Sequence, residues 1–426
     1  MTVSNLQASG ADSPQTGHLP GERAYDAAMM RLALDAAEEA RGGTSPNPLV
    51  GAVIADESDE SAESPVVLAV GFHAAAGQAH AEVDALQKLA AAGGSSVGKT
   101  LYVTLEPCNH IGRTGKCSEA IVAAGLRRVV IGMADPNPSV TGGGIARLQA
   151  AGIEVLLGVS LAACRQQNRA WLRWLRSGRP QMVLKAAVSL DGRLAPGLRP
   201  GQVVGPRWLT GELARRHAHR LRAHCDAILV GAGTVLADDP QVTVRLAELR
   251  SGKQPLRVVL DGALRVPASA KLATDGTLLL TSESAYRMES AHVEALRKRG
   301  VEVVALPPPS SQDVAPRRGC ATDIDLHAVL RLLGQRNILQ ALCEGGGVLH
   351  GALLEAGLYD EVALFVAPLF LGDSGVPLLR HLAVPDVTAA SWLAHPRVTQ
   401  LGHDLLIEGE LRRGGFSPFS VGAGRE

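Results

Sequence analysis

The sequence predicts an α/β protein of two successive domains, each built on its own sheet. Three observations carry this. The chain has 426 residues, more than one comfortable core holds at about 150 residues per domain. Short apolar runs of strand length alternate with stretches of helical periodicity along most of it. The turn Gly178-Arg179-Pro180 interrupts that alternation, and the domain boundary is placed there.

Residues 1–21, rich in Ser, Gly, Pro and Gln, are expected to be a disordered tail. From Tyr25, apolar Met29, Leu32, Ala33, Ala36 and Ala37 recur at helical spacing and predict a helix with one buried face, ended by Gly42-Gly43. Leu49 to Ala55 is uninterrupted apolar sequence, suited to a strand buried on both faces. The acidic stretch 56–64 reads as a solvated loop, and Val66 to Gly71 as a second strand. Next come a helix at His80, a strand over 100–105, a loop and helix around Cys108, a strand over 128–132, a helix after Gly142-Gly143-Gly144 and a strand over 153–157. A helix over 161–176 closes the first domain, residues 22–177. An opening helix and strand pair followed by alternation implies three layers, with helices on both faces of the sheet.

The second domain is expected over 178–413, with a flexible tail at 414–426. Strands are predicted at 182–188, 227–231, 256–260, 277–281, 301–305 and 338–343. Helices are predicted from Trp208 to about Ala223, over 285–299, over 324–334 and from the glycines at 345–347 to Glu355. Residues 360–367 and 404–412 read as β and are expected to form an antiparallel edge of a mixed sheet.

Composition excludes several functions. Lys and Arg number 42 against 42 Asp and Glu, and aromatics are 3%, so neither a basic stripe nor stacking aromatics invite nucleic acid or an anionic membrane. The longest apolar run, Val362 to Leu371, contains a proline and falls short of the roughly 20 residues that span a bilayer. The first 22 residues lack the basic and apolar regions of a signal peptide. Six cysteines in a chain of this size make no disulfide framework. A cytoplasmic enzyme acting on a small molecule is the expectation, with no nucleic-acid or membrane partner and a homo-oligomeric state.

The chemistry concentrates between His80 and Cys117. His80, Cys108 and Cys117 are three soft ligands of the kind zinc prefers, and three protein ligands leave the fourth tetrahedral position open for water. Glu82 stands two residues beyond the first ligand, as a proton carrier. On a helix, positions i and i+2 point about 200° apart, so His80 and Glu82 serve one centre only if it sits over the helix start. Pro107 suggests a second helix start at Cys108. The order His-x-Glu, Pro-Cys, Cys matches the zinc nucleobase-deaminase signature, with eight residues between the cysteines where two are usual. Singly, His80 reads as a helix cap, Glu82 as solvated and the cysteines as core; together they read as a catalytic centre. A purely structural zinc site would gain nothing from Glu82, and a polynucleotide deaminase would need the basic stripe this chain lacks.

In the second domain, Gly231-Ala232-Gly233-Thr234 and Gly345-Gly346-Gly347 follow strands, and such turns let backbone approach a phosphate. Neither is a full dinucleotide fingerprint. Asp238-Asp239-Pro240 with Thr243-Val244-Arg245 places acid and base on one loop, either a surface ion pair or a clamp for an anionic group.

Over about residues 23 to 412 the chain resembles the bifunctional deaminase/reductase family of riboflavin biosynthesis. In the first half the likeness rests on Pro46-Asn47-Pro48, His80-Ala81-Glu82, the run Thr104 to His110, Gly112-Arg113-Thr114, Cys117 and Asp135-Pro136-Asn137-Pro138. In the second it rests on Lys185, Ser189-Leu190-Asp191-Gly192, Trp208-Leu209-Thr210, Thr234 to Pro240, Thr243-Val244-Arg245 and Glu344 with its glycines. The long gap between the cysteines is characteristic of that family.

The resemblance implies a cytidine-deaminase-like first domain and a dihydrofolate-reductase-like second domain. It implies one zinc ion on His80, Cys108 and Cys117, with Glu82 as proton shuttle, and a substrate pocket lined by Asn47, Asn109, His110 and Arg113. It implies NADPH contacts at Ala187, Trp208, Thr234, Asp238, Gly262, Gly346, Gly347, Val348, Leu349, His350, Gly351 and Ala352. Substrate contacts would fall at Lys185, Asp191, Val242, Arg245 and Glu344. The reactions implied are hydrolytic deamination of 2,5-diamino-6-ribosylamino-4(3H)-pyrimidinone 5′-phosphate and then NADPH-dependent reduction of the ribosyl group to ribityl, giving 5-amino-6-ribitylamino-uracil 5′-phosphate. The chain departs from the family in a longer, Pro-rich stretch at Arg193 to Arg207, in Pro206 where a serine often contacts substrate, and in Gly262 where a serine is common. The alternative is a zinc deaminase alone, with a weak or altered reductase-like domain.

Overall fold

The computed structural model describes residues 19–58, 64–109, 115–137, 143–197, 208–246, 253–309 and 324–414. It divides into two units, residues 1–169 and 170–426. The expected boundary at Gly178 lies eight residues further on, so Ala170 to Ser177 count with the second unit.

The first unit is a five-stranded sheet in the order β2-β1-β3-β4-β5, made of β1 (Gly51–Asp56), β2 (Val66–Phe72), β3 (Thr100–Val103), β4 (Arg128–Ile131) and β5 (Glu154–Leu157). The β1 strand runs antiparallel to β2 and β3, while β3, β4 and β5 are parallel. Helix α1 (Asp26–Glu38) packs so closely on β1 that a Cβ on Gly51 would lie 1.8 Å from the Ala33 carbonyl oxygen. Ala52, Ile54, Leu101, Val103, Val129 and Ile131 face the opposite way, into a core with α2 (Ala81–Ala91), α3 (Cys117–Ala123) and α4 (Gly143–Ala150). These are the three expected layers.

At the start of β4 the fully buried Arg128 holds Asp26 of α1 through two 2.8 Å hydrogen bonds. The Tyr102 hydroxyl donates its one proton to Glu57 at 2.6 Å and lies 2.9 Å from Asp26. A buried charge is tolerable only with such complete pairing. The network fastens α1 to the sheet at the start of β4, the end opposite the one that leads to Met133.

The helix expected over 161–176 is two: α5 (Leu161–Gln167) and α6 (Arg169–Ser177). The break is at Asn168, whose backbone leaves helical geometry while its buried amide donates to the Leu49 carbonyl and accepts from the Leu49 N–H. A bridge to the lead-in of β1 replaces one helical position.

The second unit carries a nine-stranded mixed sheet in the order β11-β10-β9-β8-β12-β6-β13-β16-β15. Its strands are β6 (Gln181–Ser189), β8 (Ala227–Gly231), β9 (Leu256–Leu260), β10 (Thr277–Ser282), β11 (Glu302–Leu306), β12 (Gln340–Cys343), β13 (Glu361–Ala367), β15 (Ser391–Leu401) and β16 (Asp404–Arg413). A small separate pair joins β7 (Arg193–Ala195) to β14 (Val376–Pro377). Alternate residues of the strands feed two cores. One lies against α11 (Leu326–Gln335) and α12 (Gly347–Glu355). The other lies against α7 (Glu212–His224), α8 (Ala232–Asp238), α9 (Glu283–Met288) and α10 (Ser290–Arg297).

The antiparallel edge differs from expectation. Strand β13 is interior, parallel to β6 on one side and antiparallel to β16 on the other, and the edge is β15. Pro396, the irregular register between Ala394 and Arg397, and a largely exposed surface hid β15 from an apolar-pattern reading. Proline is tolerated on such an edge. Among the described residues no helix is long and apolar enough to cross a membrane.

Candidate active sites

In the first unit the chain leaves β3 through Glu106-Pro107-Cys108, which belongs to no helix or strand. The Glu106 N–H donates to the Met133 carbonyl at 2.8 Å, and its carboxylate accepts the Asp135 and Ile145 N–H groups, each at 3.2 Å. Gly144 lies so near that a Cβ there would sit 2.0 Å from the Pro107 carbonyl oxygen. Because these backbone groups bond outward, no helix starts at Pro107, contrary to expectation. The second helix start is Cys117, the first residue of α3, and the Ser118 N–H closes back on the Cys108 carbonyl at 3.1 Å.

His80 is the N-cap residue of α2, with extended backbone, so its side chain leaves the helix end. Its Nδ1 lies 3.1 Å from Cys117 Sγ and 3.5 Å from Cys108 Sγ, and the Cys117 N–H reaches Cys108 Sγ at 3.5 Å. The three ligand atoms lie within 4.8 Å of one another, close enough to converge on one metal ion. The hydrogen bond from Cys117, aided by the His80 imidazole, lowers the Cys108 thiol, and ligation requires such a thiolate. Glu82, in the first turn of α2, is 3% exposed; burial raises its pKa and the neighbouring His80 pulls the other way. The unusual spacing of four residues thus resolves into one cluster over a helix start.

Two further groups flank it. Asn47 Nδ2 lies 2.9 Å from His73 Nε2. Asn109 accepts from the Ser118 hydroxyl at 2.8 Å, at the mouth of α3. His110 and Arg113 lie outside the described residues. His73 was not singled out from the sequence; its only signal there is a lone histidine closing an apolar strand.

In the second unit, a cavity of about 550 Å³ opens between β6 and α7, lined among others by Lys185, Ala187, Trp208, His219, Arg222 and Arg245. Arg222 grips Glu344 with two hydrogen bonds of 2.6 Å and the Thr243 carbonyl with a third of 2.8 Å. Burial alone would raise Glu344, but the Lys185 and Arg222 charges outweigh it and hold the carboxyl at about 2. Burial lowers Lys185, which also lies 5.7 Å from the centre of the Phe365 ring. His219 falls to about 4 through burial and the charges of Arg222 and Arg245. The cavity wall carries Lys185, Arg215, Arg216, Arg222 and Arg245 against one carboxylate, Glu212, and Arg222 has Glu344 as its ion-pair partner, a setting for a phosphorylated ligand. Arg222 escaped the sequence reading because it is one of four arginines that share α7 with three histidines, which looks like a solvated face.

The two glycine turns meet. Strands β8 and β12 are parallel neighbours, and at their carboxyl ends the Thr234 hydroxyl donates to the Gly345 carbonyl at 3.1 Å. Gly346 has φ of 78°, and a Cβ on it would lie 2.9 Å from Thr234 Oγ1. That cradle, at the end where open α/β sheets bind ligands, suits a nucleotide phosphate. Gly347 and Gly351 have another reason: a Cβ on either would strike the carbonyl of Pro377 or Arg380, at 2.4 and 2.0 Å.

The remaining predicted contacts divide. Leu349 and His350 point inward, His350 Nδ1 pairing with the Tyr359 hydroxyl at 2.8 Å, so only their backbone can face a cofactor; Val348 and Ala352 are half-buried. Asp238 is exposed at the end of α8, and the Gly262 carbonyl accepts the Ser282 hydroxyl at 2.7 Å. Val242 is buried at φ of 52° and Arg245 is exposed. Asp191 does not line the cavity: it accepts the Ser189 hydroxyl at 2.5 Å and the Gly372 N–H at 2.7 Å, fastening the chain that follows β13. Pro206 lies outside the described residues.

Residues 23–133 match the zinc-binding region of cytidine and deoxycytidylate deaminases, and residues 180–405 match the RibD C-terminal domain. Riboflavin biosynthesis protein RibD of Bacillus amyloliquefaciens is 36% identical over 89% of this chain and 94% of its own. That of Escherichia coli is 36% identical over 90% and 98%. Among solved structures, Acinetobacter baumannii RibD aligns with a TM-score of 0.74 at 33% identity, covering 91% of this chain and 99% of its own. The Thermotoga maritima diaminohydroxyphosphoribosylaminopyrimidine deaminase/5-amino-6-(5-phosphoribosylamino)uracil reductase aligns with a TM-score of 0.73 at 30% identity, covering 91% and 98%. A cluster of candidate metal ligands and a cationic cavity in one chain, with likeness extending over both, lead to one assignment: this chain belongs to the RibD family of riboflavin biosynthesis proteins.

Proposed function

We propose that the chain carries out two consecutive steps of riboflavin biosynthesis. It deaminates 2,5-diamino-6-ribosylamino-4(3H)-pyrimidinone 5′-phosphate by hydrolysis and then, with NADPH, reduces the ribosyl group to ribityl. The observation that carries this is the convergence of His80, Cys108 and Cys117 beside a buried Glu82, in a chain that continues into a cavity lined by Lys185 and by Arg222, itself paired with Glu344. Deamination belongs to residues 22–177 and reduction to residues 178–413.

Zinc held by the His and two thiolates supplies a Lewis acid that lowers the pKa of water toward about 7. Glu82 takes the proton of the attacking water and passes it to the departing ammonia. Asn47, Asn109, His110 and Arg113 orient the pyrimidine. In the second domain NADPH supplies the reducing equivalent. The Thr234 and Gly346 cradle holds its phosphates, with Ala187, Trp208, Asp238, Gly262 and the 347–352 turn completing its site. Lys185, Arg222, Val242, Arg245 and Glu344 hold the phosphorylated substrate so that its C1′ meets the cofactor. Asp191 acts indirectly, through the loop it fastens. The enzyme is placed in the cytoplasm as a homo-oligomer, which light scattering at graded concentrations tests.

The deciding experiment is a coupled assay with zinc, the diaminopyrimidinone ribosylamine phosphate and NADPH, following ammonia and NADPH absorbance together. Both signals are expected, with reduction waiting on deamination. Ammonia without NADPH oxidation would sink the second half of the reading, and neither signal would sink both.

A further inference from the structure

His73 is 3% exposed at the carboxyl end of β2, and each of its ring nitrogens has a different partner. Nδ1 lies 3.0 Å from the Ala79 carbonyl oxygen. A carbonyl can only accept, so that contact is a hydrogen bond only if Nδ1 carries the proton. In the neutral ring Nε2 is then a bare acceptor, and the group 2.9 Å away, Asn47 Nδ2, is its donor. The order of these steps matters. The backbone oxygen fixes the tautomer, and the tautomer fixes which end of the Asn47 amide turns toward the histidine.

The consequence falls on Asn47 Oδ1. With one Nδ2 hydrogen given to His73, Asn47 keeps its Oδ1 acceptor beside a second N–H, and among the described residues nothing donates to that oxygen. Asn47 itself is half-buried, on a turn closed by its own N–H to the Thr44 carbonyl at 2.9 Å. His73 also stacks edge-on against the zinc-ligating candidate His80, with ring centroids 5.4 Å apart, and Ala79 immediately precedes that ligand. One imidazole therefore ties the amide to the backbone that carries the metal site.

We propose that His73 is a positioning residue of the deaminase that holds the Asn47 amide with its carbonyl oxygen free, so that the pocket selects a pyrimidine edge presenting an N–H donor. This deepens the deaminase reading above and rests on Asn47 touching substrate. A ring edge bearing only acceptors at that point would meet an unpaired carbonyl and be rejected. The imidazole makes no contact with the substrate and takes no proton from it.

The test uses the full zinc-loaded chain and ammonia release, with zinc content measured for every variant. Gln at position 73 can place an acceptor near Nε2, whereas Asn can place a donor near Nδ1 and cannot reach Asn47. His73→Gln is expected to keep KM within about threefold of the parent, and His73→Asn to raise it about tenfold with kcat less affected, as for loss of one orienting hydrogen bond. Asn47→Ala should raise KM by at least as much, and the double variant His73→Asn/Asn47→Ala should be no worse than Asn47→Ala alone. An unchanged KM in His73→Asn, or losses that multiply in the double variant, would overturn the proposal while leaving the deaminase reading intact. An unchanged KM in Asn47→Ala would overturn it at its base, by removing Asn47 from the substrate. Loss of zinc in His73→Asn would also overturn it, assigning the histidine to support of His80 instead.

Discussion

The two sites are built by opposite means. The first is compact in sequence: its four central residues fall between His80 and Cys117, and one helix start, one irregular segment and one further helix start bring them together. The second draws Lys185 from β6, Arg222 from α7 and Glu344 from the end of β12, and holds them by opposite charge. A metal site needs a few soft donors at fixed short distances, which local chain geometry supplies. A socket for a phosphorylated ligand and a dinucleotide needs breadth, which only the ends of several parallel strands supply. Damage to the first site should therefore be chemical and total, and damage to the second graded and partly structural.

The sharpest break in that comparison is Glu82→Gln. The amide keeps the size and loses the proton carrier. Ammonia release should fall by about 10²-fold or more, with zinc content unchanged, since general acid–base catalysis is worth about 10² to 10⁴. NADPH oxidation on substrate already deaminated should be untouched. Ammonia release near the parent rate would remove Glu82 from the mechanism.

The contrast also explains what could be read from the sequence. His80, Glu82, Cys108 and Cys117 were visible because their order and residue types are chemical requirements, whereas the helix inferred at Pro107 was not there. Proline permits a helix start but does not demand one, and outward bonds from Glu106 hold that segment to the Asp135 and Ile145 backbone instead. Arg222 was invisible because its partner is 122 positions away and its helix reads as solvent-facing. The five central strands of the first unit and the parallel strands of the second were legible as apolar runs; β15, exposed and carrying Pro396, was not. Asn168 could not announce itself either, because its reason for breaking a helix is Leu49, 119 positions earlier.

Next in size is Glu344→Gln. Removing the carboxylate leaves Arg222 and Lys185 facing each other without a counter-charge, and breaking such a pair by deleting one partner costs about 3–5 kcal/mol when fully buried. NADPH oxidation should fall at least about tenfold and Tm should drop, with ammonia release retained until the protein melts. The same ion pair predicts a pH dependence. The carboxyl of Glu344 sits at about 2 in the folded protein, below its ordinary value, so its contribution to stability is complete above that ordinary value and is lost as pH falls toward 2. In Glu344→Gln the acid limb of the Tm profile should flatten over that interval; an unchanged limb would mean the pair adds nothing to stability.

The smallest effect separates two residues, Lys185 and Asp191, that the resemblance placed together at the reductase substrate. Lys185 lines the cavity and carries its charge beside Glu344, so Lys185→Gln should lower NADPH oxidation about tenfold, as for one charge-assisted contact to substrate. The Asp191 carboxylate is held down to about 2 by the Ser189 hydroxyl and the Leu371 and Gly372 N–H groups, and its oxygens are spent on them. Asp191→Asn keeps one oxygen for those donors, so NADPH oxidation should change by less than about threefold. If instead Asp191→Asn matches or exceeds Lys185→Gln, the loop after β13 is part of the reacting site, and the second site would have to be redrawn with the aspartate facing the substrate.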